Sequence, residues 1–244
     1  MQAEPFDTAA RAYVAAHFWT PAALAEAAGV EPGRVTELAA AGIIPGPIYR
    51  RDPQRGWWSA LAGWVDGGDG TPDAGAEAWV SPWAVWSLRA AQLAGREGVS
   101  DAVIARRAQE SFGRDFTAAL ATILPARIAF PDCFDAEGRV DPAMASVAAD
   151  TQWRGWLRGG YAVCLRAFTG ETCVQKESLG ALLKRHVSAP DDWPMSAAET
   201  LEACAALAAL MLPFAPWERP VGTPGRTIDT LLARHALGRE RPYD

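Results

Sequence analysis

The stretch LPFAPWERPVGTPGRTID, residues 212–229, gathers the chain's most suggestive chemistry. Its apolar anchors Phe214 and Trp217 flank Glu218, Arg219 and Arg226 in a loop stiffened by proline and glycine. Two guanidiniums held in an ordered segment suit an acidic ligand such as a carboxylate, because the planar fork pairs with it bidentately. The same residues equally suit a loop strapped across a core by a Glu–Arg pair. Tyr161 and Cys164 stand one helical turn apart and could act as a phenol acid and a thiolate nucleophile. They also lie on the most apolar face of the chain, where a buried cysteine is ordinary packing. Tyr161 and Glu218 are the catalytic candidates, and Trp217, Arg219 and Arg226 the ligand-binding ones.

Other groups offer less. Glu171, Lys176 and Glu177 could supply acid–base chemistry, or in Lys176 a Schiff-base amine if desolvated, against the simpler reading of a solvated helical face. His17, His186 and His235 are far apart in sequence, so nothing joins them, and His17 reads as structural. Asp132, Asp135, Glu137 and Asp141 lack the alternating spacing and terminal glutamate of a calcium loop and read as a turn. Cys133, Cys164, Cys173 and Cys204 form no C-x-x-C pair and have no histidines at ligand spacing, so neither a zinc site nor a disulfide framework is encoded. No glycine-rich phosphate fingerprint is present, and the cofactor stays unknown. Eleven tryptophans, Trp57, Trp58, Trp64, Trp79, Trp83 and Trp86 among them, suit an aromatic-lined cavity, an interface or a large core.

The elements that must position these groups are mostly helical. Thr20 with Pro21 opens a helix that Gly29 ends, Val30 fills the turn, and Pro32 restarts a helix with Val35 and Leu38 on its apolar face. Gly42 stops it, which reads as a helix-turn-helix. The segments IPGPIYR and RGWWSALAGWV near residues 44–65 could form one short hairpin. DGGDGTPDAGAE has no apolar period and reads as a loop. Beyond Ser81, Trp83, Trp86 and Ala90 recur at helical spacing, helices follow near 100–112 and 115–124, and a long run from Ala143 through Trp153, Trp156, Tyr161, Cys164 and Phe168 reads as the central helix. Residues 171–187 make another, and SAAE at 196–199 has the form of a capping box. The expected fold is all-α: a helix-turn-helix-like unit over 1–65, a linker over 66–80, and a larger helical bundle over 81–244 against which the unit packs.

Bulk composition narrows the function. The chain has 244 residues, half of them apolar, which is ordinary for a globular protein. It carries 21 arginines and only two lysines, so single arginines weigh little. The formal charge of −6 disfavours nucleic acid as main partner, since a phosphate backbone rewards clustered positive charge. Residues 1–66 hold five arginines against seven acids, and the second helix offers a DNA groove only Arg34, Thr36 and Glu37. The start lacks a signal-peptide pattern and no apolar run spans a bilayer, so a cytoplasmic protein without membrane attachment is expected. Oligomeric state is not encoded.

Two likenesses add to this. Leu24, Ala25, Ala28, Gly29 and Val30, followed by the second helix and Ala41-Gly42-Ile43-Ile44-Pro45, resemble the start of MerR-type regulators. The usual arginine–tyrosine pair is missing from the second helix, and no long dimerising helix follows. The whole chain resembles an uncharacterised bacterial family of natural-product biosynthesis proteins. That likeness rests on the N-terminal unit, on Gly159, Tyr161, Val163, Cys164 and Leu165 with Lys176-Glu177 after them, and on the loop from Phe214 to Pro220. It implies a pathway context but no established reaction and no catalytic residues. The leading expectation is therefore an enzyme or small-molecule-binding accessory of natural-product biosynthesis, with its site between the two parts and a carboxylate-bearing ligand. The alternatives are a ligand-responsive MerR-like transcriptional regulator, which needs a basic second helix and a dimer, and a protein-interaction module, which needs an exposed apolar patch.

Overall fold

The computed structural model describes residues 3–73 and 75–235, so the last nine residues of the helical region expected over 81–244 lie outside the described residues. The chain divides into two compact units: residues 1–110 with 153–163, and residues 111–152 with 164–244. The described residues form ten helices and one small sheet. No helix among them is long and apolar enough to cross a membrane.

The first unit holds α1 (Ala3–His17), α2 (Pro21–Ala28), α3 (Pro32–Ala40), the sheet, α4 (Ala84–Arg96) and the start of α5 (Asp101–Thr122). Local chemistry sets the α2–α3 corner as its sequence requires. The Thr20 side chain accepts the Ala23 N–H at 3.1 Å, and Gly29 takes φ 69°, a left-handed conformation that glycine adopts without steric cost. From α4, Arg89 donates to the Ala27 carbonyl at 2.7 Å and Gln92 to that of Gly29 at 2.6 Å, so the carbonyl end of α2 is satisfied by side chains. Leu24, Val35, Leu38, Ile43, Ile44, Val85, Leu88 and Ile104 form the core beneath. The buried face of α4 is Ala84, Val85, Leu88 and Ala91 rather than the tryptophan stripe, and Trp86 is 56% exposed.

An all-α chain does not describe this unit. β1 (Tyr49–Asp52), β2 (Gly56–Ser59), β3 (Gly63–Trp64) and β4 (Glu77–Trp79) pair antiparallel in the order β3-β2-β1-β4. The β1–β2 hairpin is the one foreseen near 44–65. The Asp52 carboxylate accepts the Gln54 and Arg55 N–H groups at 2.8 and 2.9 Å, which closes its turn. The fourth strand comes from the end of the glycine- and proline-rich segment. It pairs because Trp79, opposite Tyr49, stacks on Trp57 with ring centroids 5.1 Å apart, a contact that local composition does not announce.

A charge network ties α1 to this sheet. Asp7 accepts from Arg51 Nε at 2.6 Å, Trp57 Nε1 at 2.8 Å and Arg11 Nε at 3.2 Å, while Glu77 pairs with Arg11 at 2.8 Å. The Arg51 guanidinium above all, opposed by burial and assisted by Trp57 and Arg11, holds the Asp7 carboxyl below its ordinary value of 3.8. A lowered folded pKa means that this stability is present above the ordinary value and is lost as pH falls through the folded one. In Asp7→Asn the loss of unfolding free energy between pH 7 and pH 3, measured by urea titration, should shrink. An unchanged difference would remove Asp7 as a source of acid lability.

The second unit holds the rest of α5, α6 (Ala126–Ala129), most of α7 (Pro142–Leu157), α8 (Gly170–Ser188), α9 (Ala197–Leu210) and α10 (Thr230–Arg234). α5 is one continuous helix where two were expected. α7 stops at Leu157 and does not continue as a central helix. Gly159 takes φ 90°, and a Cβ there would stand 2.6 Å from the Ala60 Cβ, so the chain turns at a position only glycine fits. Tyr161 and Cys164 therefore lie in a run of turns. α8 and α9 open with capping boxes on Thr169–Thr172 and Ser196–Glu199, the second as its sequence foretells.

Candidate functional site

One face of α8 builds the site. Lys176, Glu177, Gly180, Ala181, Lys184, Val187 and Ser188 line a groove of about 460 Å³ within the second unit. Ile128 and Ala129 at the end of α6 form one edge, and Thr223, Arg226 and Thr227 another. Positions 176, 180, 184 and 187 share a helix face, so the two lysines stand about 12 Å apart along the axis with small residues between them. The volume suits a small organic molecule.

Lys176 is only 14% exposed and donates to Glu177 Oε1 at 2.7 Å. Burial opposes its charge, while the neighbouring Cys164 and Glu177, the latter also through its hydrogen bond, favour it and raise its pKa. It is accordingly a paired cation at neutral pH, neither a solvated surface lysine nor a free-base amine set for Schiff-base chemistry. Cys164 is also buried, and desolvation pushes its thiol up, away from the thiolate that a nucleophile needs. Lys184 and Arg226 are exposed into the groove and, among the described residues, neither pairs with a carboxylate. Among the described residues the Arg226 side chain reaches only the Gly222 carbonyl, at 3.4 Å. Three cations against one carboxylate leave the groove with a surplus of two positive charges. The whole chain carries −6.

The loop from 212 to 229 is ordered as its composition foretells, but its arginines do different work. Arg219 forks onto Asp229, Nε at 2.8 Å and Nη2 at 2.7 Å, so an Asp–Arg pair straps the loop. Residues Gly225–Asp229 form a widened π-turn, a feature frequent at functional sites, which carries both the strap's acceptor and Arg226. Gly225 is required there, since a Cβ would stand 2.2 Å from the Arg219 carbonyl oxygen. Glu218 is 1% exposed, and neither it nor the half-buried Trp217 lines the groove. Tyr161 is buried in the first unit. Of the five candidates only Arg226 lines this groove.

Sequence reasoning passes over Lys184 and reads Lys176 as solvated. The available signal is composition: a chain that uses arginine almost throughout keeps both of its lysines on this one face. His186 and His235, unconnected in sequence, stack with ring centroids 5.8 Å apart, His186 Nδ1 lying 2.8 Å from the Trp193 carbonyl. All four cysteines are free and buried.

Residues 108–236 match a family of unknown function, DUF6058. No curated protein and no solved structure matches the chain. The match covers more than half of the sequence and contains every residue of the groove, from Ile128 to Thr227. The chain belongs to the family of unknown function DUF6058.

Proposed function

We propose that the chain is an enzyme or binding accessory of natural-product biosynthesis that takes a small acidic ligand in the α8 groove. The pathway context comes from the sequence resemblance. The observation that carries the ligand is the convergence of Lys184 and Arg226, both without carboxylate partners among the described residues, beside the paired Lys176. The site so proposed lies within the second unit rather than between two parts. A reaction in this groove would use its cations to hold and polarise an anion.

The regulator reading is weaker. A MerR-like use of α2 and α3 as a helix-turn-helix would need free cations on α3, yet Arg34 is forked onto Asp101 and paired with Glu37 at 2.9 Å. Those carboxylates raise the Arg34 pKa and occupy the donors that a base edge would need.

The test is isothermal titration of the purified protein with a panel of small carboxylates, phosphates and amino acids, followed by DNA fragments. A small acid should bind, and Arg226→Ala should weaken it about tenfold to a hundredfold, the worth of a hydrogen bond to a charged group. Binding of a DNA fragment with no small acid bound would sink the proposal in favour of the regulator.

A further inference from the structure

Building on the acidic-ligand reading above, we infer that the groove's ligand is an organic phosphate monoester, its phosphate held between Lys184 and Arg226 and its organic body lying along the α8 floor. A carboxylate has two oxygens and one charge, and a single guanidinium fork satisfies both. Here a second cation without a carboxylate partner among the described residues faces the same groove from another wall, Lys184 on α8 and Arg226 on the π-turn. The third cation is already spent on Glu177, so the surplus of two charges falls on this pair. A phosphate monoester brings three terminal oxygens and a charge near −2 at neutral pH, which matches that surplus.

Residue choice points the same way. With 21 arginines and two lysines, charge alone would be met by arginine at any position of this chain. Lysine differs in being a compact point charge with three rotatable donors, which suits a tetrahedral anion approached from one side while a planar fork holds the other. Arg226 stands on a helix turn widened by one residue, a distortion that sets where its side chain projects. An inorganic ion would fill little of 460 Å³, and the floor of Gly180 and Ala181 with Ile128 and Ala129 at its edge is small and apolar, fit for a carbon skeleton. Thr227 and Ser188 spend their hydroxyls on the Thr223 and Lys184 carbonyls, at 2.6 and 2.9 Å, so they shape the walls while the two cations hold the anion.

The test titrates the full chain with phenyl phosphate, inorganic phosphate and benzoate at pH 7.5 and pH 5.5. Phenyl phosphate should bind at least tenfold tighter than benzoate or inorganic phosphate at pH 7.5. Its affinity should fall about fourfold at pH 5.5, because a monoester takes up its second proton near pH 6. Benzoate stays ionised over that range and reports any titration of the protein itself. Lys184→Ala and Arg226→Ala should each cost tenfold or more, Arg226→Lys less, and Arg106→Ala on the exposed side of α5 nothing. The lysine variant keeps the test decisive should Arg226→Ala fail to fold. Benzoate binding as tightly as phenyl phosphate, or phosphate binding indifferent to pH, overturns the phosphate and leaves the acidic ligand standing. Inorganic phosphate binding as tightly as its phenyl ester overturns the organic body. If none of the three binds, both this inference and the acidic-ligand reading fall.

Discussion

Gly170→Ala is expected to destabilise the second unit by roughly 3 kcal/mol, the upper end of the usual cost of forcing extra volume into a packed core. A Cβ at this position would stand 2.2 Å from the Phe116 nitrogen, 2.7 Å from the Asp115 carbonyl carbon and 2.8 Å from the Phe112 oxygen. All three are backbone atoms of α5, so no rotamer change can relieve the overlap and the start of α8 must move away. That start is where Thr169 and Thr172 exchange their capping bonds, at 3.1 and 2.9 Å, and where Phe168 stacks on Phe112 at 4.8 Å. Displacing it loosens a cap and an aromatic pair together. Urea unfolding reads the effect as a lower midpoint at unchanged slope. Gly33→Ala is the control: nothing lies within 4 Å of a Cβ at this position in the first turn of α3, and replacing glycine where the backbone is already helical should stabilise by about 0.4–1 kcal/mol. Equal midpoints for Gly170→Ala and the wild type would mean that α8 and α5 do not approach through this glycine.

What the sequence reveals and what it hides divide along the range of the interactions concerned. Thr20, Gly29, Ser196 and Glu199 act on backbone groups within a turn of themselves, and each is found in the role that its type and spacing predict. The hairpin near Asp52 and Gly56 is legible for the same reason. Errors begin where two distant segments decide. The apolar period of α7 runs on past Leu157, but Gly159 approaches Ala60 nearly a hundred positions away and the helix ends. Trp86 is spaced like a core residue, yet the packed face of α4 is the one with alanine and leucine, whose smaller side chains let α2 approach. Lys176 looks like solvated helix surface until α6 and the π-turn lie beside it. The loop arginines are conspicuous in sequence, but only Asp229, ten residues on, tells a structural arginine from one that faces a groove.

That distinction supplies the second large effect. Asp229→Ala should lower stability by about 2–3 kcal/mol, somewhat under the cost of breaking a fully buried ion pair because Asp229 is itself 34% exposed. Both bonds to the Arg219 fork disappear at once, while the guanidinium stays in a side chain only 10% exposed. Asp229→Asn should fall between, since its amide oxygen can accept one bond but carries no charge. Arg219→Lys should resemble Asp229→Ala more than the wild type, because an ammonium cannot span both carboxylate oxygens. A cycle with Arg219→Ala isolates the pairwise contribution, and its coupling should exceed 1 kcal/mol in a geometry this close. The strap also bears on binding. Asp229 closes the π-turn that carries Arg226, so its loss should weaken an acidic ligand in the α8 groove although Asp229 does not line it. A variant that loses stability yet keeps full affinity would show that the turn is set by Gly225 against the Arg219 backbone, and that the strap serves the fold alone.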